Sequence, residues 1–419
     1  MALKDKKTSI TFHSGMMSIG GTVVEVAYEN DRIFFDFGTE YKPELNLKDE
    51  SIASLIEHNL IPKLDHMYVG DSIDPNKNTA VFLSHVHLDH TRMINYLNPD
   101  IPLYALKETK LLLENLNKNN DFLLPLSDIS KGYTRNIIGC DHESIVHVGD
   151  ISVQLLRVDH DAYGACGLWI KTPDLTVAYT GDLRLHGFDA QDTYQYIETV
   201  KHCDVLIIEG VTVSFDPETT TETNDEIKTE QELIDRFVAI QNEFSDKQIT
   251  FNAYPANVKR LVEINKQSPR RVVFTEPFAY ILKETVGLDV YYYNHDHEDF
   301  SLDSDYKISY DELLEDTNKY LWQIDKDYEK LKGGGVYIHS NAVPLGEFDP
   351  AYGPFIEALM LGDIAFYEVK CSGHAYPEDL DKIIDGIKPK LLVPIHSLRP
   401  ERLENPHGER YLPIRGKTI

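Results

Sequence analysis

Short apolar segments recur along the chain, and their spacing predicts mainly β-strands in the first part of the sequence. Apolar and polar positions alternate through SITFHSG and through GTVVEVAYENDRIFFDFG. A period of two is typical of half-buried strands. Gly20-Gly21 and Glu29-Asn30-Asp31 are turn signals between these strands.

Six further apolar runs each lead to a residue that could take part in chemistry. They are AVFLS before His85, VQLLRV before Asp159 and His160, TVAYTG before Asp182, VLII before Glu209, IAFYEVKCSG before His374, and LLVPI before His396. Such runs predict buried strands of an α/β protein. Because functional residues of these folds gather where strands end, we expect one shared site at one edge of a sheet.

Helices are predicted between the strands, where apolar residues recur at steps of three and four. The four clearest are Asp89–Leu97, Lys107–Leu116, Thr229–Phe244 and Pro377–Ile387. Proline suits the first turn of a helix, because its missing N–H would have no partner there.

The segment 212–365 differs from the rest of the chain. It opens with the polar, turn-prone SFDPETTTETNDEIKTE, and its acidic residues far outnumber its basic ones, most densely over 294–319. It also contains ITFNAY, RRVVFTE and GGGVYIHSN, which are strand-like. We therefore predict a first domain in two parts, 1–211 and 366–419, interrupted by a second α/β domain inserted at 212–365.

The composition of the chain also predicts the cellular compartment of the protein. The chain has 419 residues, 42% of them apolar and 26% charged, which is ordinary for a soluble globular protein. The N-terminus MALKDKKTSITF has no apolar core of a secretory signal. The four cysteines of the chain lie far apart without a CxxC pair, which favours free thiols in a reducing compartment. These features predict a cytoplasmic protein with no membrane partner.

The formal net charge of −28 counts against nucleic-acid binding, since phosphate recognition usually leaves a basic footprint. Bound divalent metals, however, bring positive charge of their own to a site. The simplest interpretation of the charge is that the acidic excess keeps the protein in solution.

The strongest chemical signal is the segment Ser84–His90, which places three imidazoles and one carboxylate directly after an apolar strand. A turn can point such closely spaced side chains inward, so that one segment serves two adjacent metal ions. Imidazole nitrogen and carboxylate oxygen suit zinc and also manganese.

HVHLDH resembles the signature of the metallo-β-lactamase superfamily, whose other motifs have similar counterparts downstream in the same order: His160, Asp182 in TGDLR, and His396 in VPIHS. The resemblance implies an αββα sandwich with two divalent metal ions, zinc foremost or manganese. It assigns one ion to His85, His87 and His160. It assigns the other to Asp89, His90 and His396. Asp182 would bridge the ions together with a hydroxide.

Asp182 and His396 are separated by about half the chain, which leaves room for an inserted domain. This resembles the β-CASP branch, whose members act on nucleic acids. VYIHSNAVPLGEF is similar to the SSNPIPGNE segment of the ribonuclease J family, and CSGHAYPEDLDKIIDGIKPKLLVPIHS to the end of its catalytic region. The chain resembles that family without its C-terminal domain.

This resemblance also implies roles for individual residues. Asp182, Asp89 and His374 would be catalytic, with His374 contacting the scissile phosphate and assisting the leaving oxygen. Glu209 would orient a neighbouring metal ligand. A phosphate would be cradled by Ser340, Asn341, Ser372 and Gly373.

The function implied is that of a metal-dependent ribonuclease, cutting RNA internally, from the 5′ end, or both, with homo-oligomerisation left open. Two alternatives remain. The first is a metallo-hydrolase of a small ester, lactone or phosphodiester, which the net charge favours. The second is a non-catalytic RNA-binding relative, which the complete set of candidate ligands disfavours.

Overall fold

The computed structural model describes residues 3, 5–40, 42, 45, 47–120, 122–126, 132–216, 227–294 and 300–419. The middle of the predicted polar linker, 217–226, lies outside these ranges, as does part of the acidic stretch, 295–299. Within the described ranges, no helix is both long and apolar enough to cross a membrane.

The strands are, in chain order, β1 (Thr8–Ser14), β2 (Val23–Tyr28), β3 (Asp31–Phe35), β4 (Asn78–Phe82), β5 (Leu103–Leu106), β6 (Ile138–Cys140), β7 (Ile145–Val148), β8 (Ile151–Arg157), β9 (Cys166–Lys171), β10 (Thr176–Tyr179), β11 (Val205–Glu209), β12 (Ile249–Ala253), β13 (Arg271–Thr275), β14 (Tyr291–Tyr293), β15 (Tyr320–Gln323), β16 (Val336–Ser340), β17 (Ala365–Glu368), β18 (Leu391–Ile395), β19 (Glu409–Arg410) and β20 (Lys417–Thr418).

The α-helices are α1 (Ile52–Glu57), α2 (Leu88–Thr91), α3 (Lys107–Asn120), α4 (Ala190–Thr199), α5 (Glu230–Glu243), α6 (Val258–Gln267), α7 (Glu276–Val286), α8 (Tyr310–Glu315), α9 (Tyr352–Leu361) and α10 (Pro377–Ile387). The chain divides into two compact units, of which the first comprises Met1–Thr221 with Gly373–Ile419 and the second comprises Glu222–Ser372.

The first unit contains two seven-stranded sheets. One has the order β20-β1-β2-β3-β4-β5-β6 and the other β19-β18-β11-β10-β9-β8-β7. Their facing sides share one apolar core, to which Phe12 and Phe35 contribute from the first sheet and Leu168 and Val205 from the second. Each sheet buries one face against the other sheet, which is the arrangement of a β-sandwich.

Helices cover the outer sides of this sandwich. Tyr196 of α4 and Ile383 of α10 pack on Leu206 and Leu392 in a second apolar cluster, while α3 contacts β5 and β6. The predicted αββα arrangement is therefore confirmed. The predicted helix over Pro377–Ile387 is α10 without change of bounds, and Pro377 occupies its first turn.

The second unit is built on a six-stranded sheet of order β14-β13-β15-β12-β16-β17. All of its strand pairs are parallel. One face carries an aromatic core that includes Trp322, Tyr337 and Phe355. The capping box at the start of α5, in which Thr229 and Glu232 exchange side-chain and backbone hydrogen bonds, explains why the helix begins there.

Two expectations from the sequence were wrong in detail. The helix predicted over Asp89–Leu97 is instead α2 followed by a separate 3₁₀ turn at Ile94–Tyr96. The carbonyl of Arg92 accepts from Leu124 N, and Met93 N donates to the carbonyl of Phe37. Hydrogen bonds to distant segments thus replace those that would continue the helix.

The second correction concerns the location of the site, which was expected at one edge of one sheet. His85 follows β4 of the first sheet, whereas His160, Asp182 and His396 follow β8, β10 and β18 of the second. The residues meet because the two sheets pack face to face, a relation that the order of strands along the chain does not reveal.

Candidate metal centre

The segment that follows β4 enters the site directly and is held in the interior. His85 and His90 are completely buried, and His87 immediately precedes α2. The short helix turns the chain back, so that Asp89 and His90 face the same region as His85. One local segment thereby supplies four candidate ligands.

The first group of donor atoms belongs to His85, His87, His160 and Asp182, with one donor from each residue and all of them within 4.8 Å of one another. Nε2 of His85 lies 3.6 Å from Oδ2 of Asp182. Nε2 of His160 lies 3.2 Å from Nδ1 of His87. Three imidazoles and one carboxylate therefore surround a common point.

The second group consists of Asp89, His90, Asp182 and His396, again with donors within 4.8 Å of one another. Nε2 of His396 is 2.9 Å from Oδ2 of Asp89 and 3.1 Å from Nε2 of His90. Oδ2 of Asp182 lies 3.3 Å from Nε2 of His90. Asp182 is thus shared between the two groups.

The donor set fits divalent metal ions. Among the described residues, His85 Nε2 and Asp182 Oδ1 are buried without any hydrogen-bond partner. Buried polar atoms ordinarily have such a partner, so these orphaned atoms point to a bound species that supplies one. Imidazole and carboxylate donors of this kind are those of zinc and manganese sites.

Electrostatics in the first group favour neutral imidazoles, the form that binds metals. Burial lowers the pKa of His85 well below its ordinary value, and the neighbouring His90 adds to this effect. Burial also lowers the pKa of His87 and brings that of His160 to about 3. These rings therefore carry lone pairs at neutral pH.

The second group concentrates negative charge. Burial disfavours the charged form of His90, yet its pKa is raised well above its ordinary value because three carboxylates surround it. They belong to Asp182, Asp89 and Asp36. Burial raises the pKa of Asp182, but nearby histidines, His396 first, outweigh this and hold it well below its usual range. Ionised carboxylates gathered in the interior are a favourable environment for cations.

Asp36 supports the site from behind, and the sequence interpretation missed it. Its Oδ2 accepts from Nδ1 of His90 at 2.8 Å and from the hydroxyl of Tyr179 at 2.5 Å. It also accepts from the backbone N–H and hydroxyl of Ser84. Asp36 directly follows β3, so its place after an apolar strand was a signal that could have identified it.

Two glycines let the backbone approach Asp89 closely. A Cβ on Gly20 would lie 2.4 Å from Cβ of Asp89, and one on Gly38 would lie 1.9 Å from its carbonyl carbon and oxygen. Real Cβ atoms do not approach other atoms so closely. Side chains are thus excluded at both positions, and the turn that bears Asp89 rests on bare backbone.

His374 lies beside the candidate ligands, with Nδ1 3.2 Å from Oε1 of Glu209 and 3.8 Å from Oδ2 of Asp182. Burial disfavours its charged form, but the Glu209 carboxylate outweighs this and raises the pKa of His374 to about 10. Glu209 was expected to orient a neighbouring metal ligand. Its carboxylate contacts His374 and accepts a hydrogen bond from Val211 N.

The residues expected to cradle a phosphate are divided between the two units. Ser340, Asn341 and Ser372 belong to the second unit and Gly373 to the first. In the second unit, the buried Arg260 donates to the Ser340 hydroxyl at 3.2 Å and to Oδ1 of Asn341 at 2.8 Å.

Arg260 is itself paired with Glu230 through two hydrogen bonds, of 2.9 and 2.7 Å. Both side chains of this pair are fully buried. In the first unit, the carbonyl of Gly373 accepts from Nδ1 of His160 at 2.6 Å. A buried ion pair thus fixes the turn at Ser340 and Asn341, and Gly373 is joined to the candidate metal centre.

Asp161 is a second residue that the sequence interpretation missed. It follows His160 directly, and its Oδ1 lies 3.3 Å from Nε2 of that residue and 3.5 Å from Nε2 of His87. Burial raises the pKa of Asp161, but His160 and then His87 outweigh this and hold it below the usual range. The doubled acid in DHDAYG was the available signal.

Comparison with known proteins gives the following relations. Residues 64–234 match the family model described as a Beta-lactamase superfamily domain. Ribonuclease J of Mycoplasma genitalium is 23% identical over an alignment 420 positions long, which covers 93% of this chain and 68% of that protein. Ribonuclease J of Pyrococcus abyssi is 24% identical over 271 residues, which cover 62% of this chain and 57% of that protein.

A solved structure is similar along the whole chain. The crystal structure of a protein of unknown function from Enterococcus faecalis V583 has 49% sequence identity and a TM-score of 0.94, with 99% of each chain covered. The similarity to that protein therefore extends over both units, whereas the match to the family model lies mainly in the first.

Proposed function

The chain carries a metallo-β-lactamase domain and is related to ribonuclease J, and on this premise we propose that it is a metal-dependent ribonuclease that hydrolyses phosphodiester bonds of RNA. One observation carries the proposal: seven histidine and aspartate side chains form two groups of donors that share Asp182. We also infer that the unit Glu222–Ser372 is the inserted β-CASP domain expected over 212–365.

Two divalent ions, zinc or manganese, would be held by these groups. His85, His87 and His160 would bind one ion, and the other would be bound by Asp89, His90 and His396, with Asp182 reaching both. When bound, such ions lower the pKa of a water molecule between them and stabilise negative charge on an attacked phosphate. Their charge also offsets the acidity of the chain locally.

His374 has the position of a hydrogen-bond donor to substrate. Its Nδ1 faces Glu209, which keeps the ring oriented and a proton on that nitrogen. An imidazole beside the reacting phosphate can stabilise its charge and donate to the departing oxygen. This assigns His374 to the reaction and leaves metal binding to the seven other side chains.

Ser340, Asn341, Ser372 and Gly373 are each proposed to contact phosphate groups of the RNA. Oδ1 of Asn341 accepts from Arg260 and from Cys371 N. The amide oxygen is therefore turned inward, and Nδ2 is the group that Asn341 can offer to an anionic oxygen. Since Glu230 neutralises Arg260, the recognition would depend on neutral donors.

The decisive experiment compares substrates. The purified protein with Mn²⁺ or Zn²⁺ is incubated with 5′-monophosphorylated RNA, 5′-triphosphorylated RNA, single-stranded DNA of the same sequence, a lactone panel and a small phosphodiester. We expect metal-dependent cleavage of RNA, detected on denaturing gels, and no cleavage by Asp182→Asn. Hydrolysis of a lactone or small phosphodiester with intact RNA would instead establish the small-molecule alternative, which the net charge of −28 favours.

A further inference from the structure

Asp161 places an ionised carboxylate at the edge of the first donor group without belonging to it. Oδ1 of Asp161 is buried and has no hydrogen-bond partner among the described residues. It lies between two rings, 3.5 Å from Nε2 of His87 and 3.3 Å from Nε2 of His160. A buried carboxylate oxygen is costly unless it accepts a hydrogen bond or faces a cation, so its surroundings decide its role.

His160 cannot be the donor to Asp161. Nδ1 of His160 lies 2.6 Å from the carbonyl oxygen of Gly373. A carbonyl can only accept, so Nδ1 carries a proton, and Nε2 is the nitrogen left to bind a metal ion, which it does through a lone pair. Nε2 of His160 and Oδ1 of Asp161 are therefore two acceptors that face each other, as expected if Nε2 binds a metal ion.

His87 can be the donor, because its two ring nitrogens face different partners. Nδ1 lies 3.2 Å from Nε2 of His160, inside the donor group, while Nε2 faces Asp161. The neighbouring His85 has the opposite orientation: its Nδ1 lies 2.9 Å from the hydroxyl of Ser84, and its Nε2 faces Asp182. The two histidines of HVH thus present different nitrogens to one site.

We propose that Asp161 is a positioning residue that accepts the Nε2 hydrogen of His87 and thereby keeps the lone pair of Nδ1 directed at the metal ion. The inference rests on the two-metal site proposed above. A carboxylate behind a ligating imidazole fixes its tautomer and makes it a better ligand. Among the described residues, Asp161 is outside the group whose donors lie within 4.8 Å of one another, which favours support over direct ligation.

Gly373 supplies the space that this carboxylate needs. A Cβ on Gly373 would lie 2.5–2.6 Å from Cγ and both carboxylate oxygens of Asp161. The same glycine accepts the Nδ1 hydrogen of His160. The backbone of Gly373 therefore leaves room for Asp161 and orients His160, which explains why the residue before His374 is a glycine.

The test measures metal affinity rather than turnover. Wild type, Asp161→Ala and Asp161→Asn are titrated with Zn²⁺ against a chromophoric chelator, and their Co²⁺ forms are compared by visible absorption. Asp161→Ala should weaken one of the two sites by about 10–100-fold and alter the Co²⁺ bands. Asp161→Asn should recover part of the affinity, since its amide oxygen still accepts. Asp141→Asn, which removes one exposed negative charge, should match wild type.

A double variant separates support from direct ligation. If Asp161 acts through His87, Asp161→Ala should cause no further loss of affinity in a His87→Ala background. An undiminished loss there, or wild-type affinity at both sites in Asp161→Ala, would overturn the inference alone. A wild-type protein that binds no metal would overturn the two-metal site and, with it, this inference.

Discussion

Among individual residues, the candidate centre depends on which ring nitrogen each imidazole has available for a metal ion. The outer nitrogen of three rings is already engaged: Nδ1 of His85 with Ser84, Nδ1 of His90 with Asp36, and Nδ1 of His160 with the carbonyl of Gly373. Such contacts hold each ring in one orientation. The rings that carry the candidate donors are therefore oriented by their neighbours.

His374 gives a prediction at this scale. It contacts Glu209 and Asp182 but is absent from both donor groups among the described residues. His374→Ala should therefore lower RNA turnover by about 10²–10⁴-fold, the usual range for acid–base assistance, with unchanged metal content. Asp182→Ala should lose metal as well as activity. Steady-state rates and elemental analysis distinguish the two variants, and normal rates in His374→Ala would reduce its role to a structural one.

At the level of secondary structure, α2 depends on its surroundings for its position. Four residues are too few for an independently stable helix. Its position is set by backbone hydrogen bonds from Gly21 N to the carbonyl of Asp89, at 2.9 Å, and from Phe37 N to the carbonyl of His90, at 2.7 Å. Loops from the first sheet therefore hold this segment of candidate ligands in place.

A glycine substitution tests this dependence. Gly38→Ala would place a Cβ 1.9 Å from the backbone of Asp89, so α2 would have to move. We expect a loss of about 1–3 kcal/mol in the free energy of unfolding, together with weaker metal binding. Gly353→Ala in α9 is the matched control, because its Cβ would meet nothing within 4 Å. Denaturant titration of both variants gives the comparison, and equal stabilities would contradict the prediction.

At the scale of the whole molecule, charge and metal binding are linked. The chain carries a formal net charge of −28, and carboxylates are concentrated around His90 in the interior of the first unit. Self-repulsion of this kind destabilises a compact state. Cations bound at the candidate centre would relieve the repulsion, so the metal should contribute to stability as well as to catalysis.

Removal of metal should show this contribution. The purified protein should contain about two zinc or manganese ions per chain, since seven donors exceed one site of ordinary coordination. Chelation should lower Tm, because a ligand at about a hundred times its Kd stabilises the folded state by roughly 2.7 kcal/mol. Re-addition should restore Tm. In a His85→Ala, His87→Ala double variant the response should shrink, and a Tm indifferent to chelator would contradict the prediction.

Features that depend on residues close together in the chain could be predicted from the amino-acid pattern. The alternation in β1 to β3 and the apolar runs of β4, β8, β10, β11 and β18 each bury a local face, so their strands could be predicted. HVHLDH carries four candidate ligands in one turn, so its chemistry was readable from spacing. His160, Asp182 and His396 were predicted as ligands from their place after such strands and from their resemblance to family motifs.

The distant residues that support the candidate ligands could not be predicted, because their contacts depend on tertiary packing. Asp36 contacts His90 because β3 and β4 are neighbouring strands. Gly373, which follows the second unit along the chain, packs closely against Asp161. Tertiary packing also ends the helix predicted over Asp89–Leu97 at Thr91 and brings the residues of the site together from two sheets. A pattern along the chain records local burial, whereas these contacts depend on how separate segments pack, and packing is fixed only when the whole core is assembled.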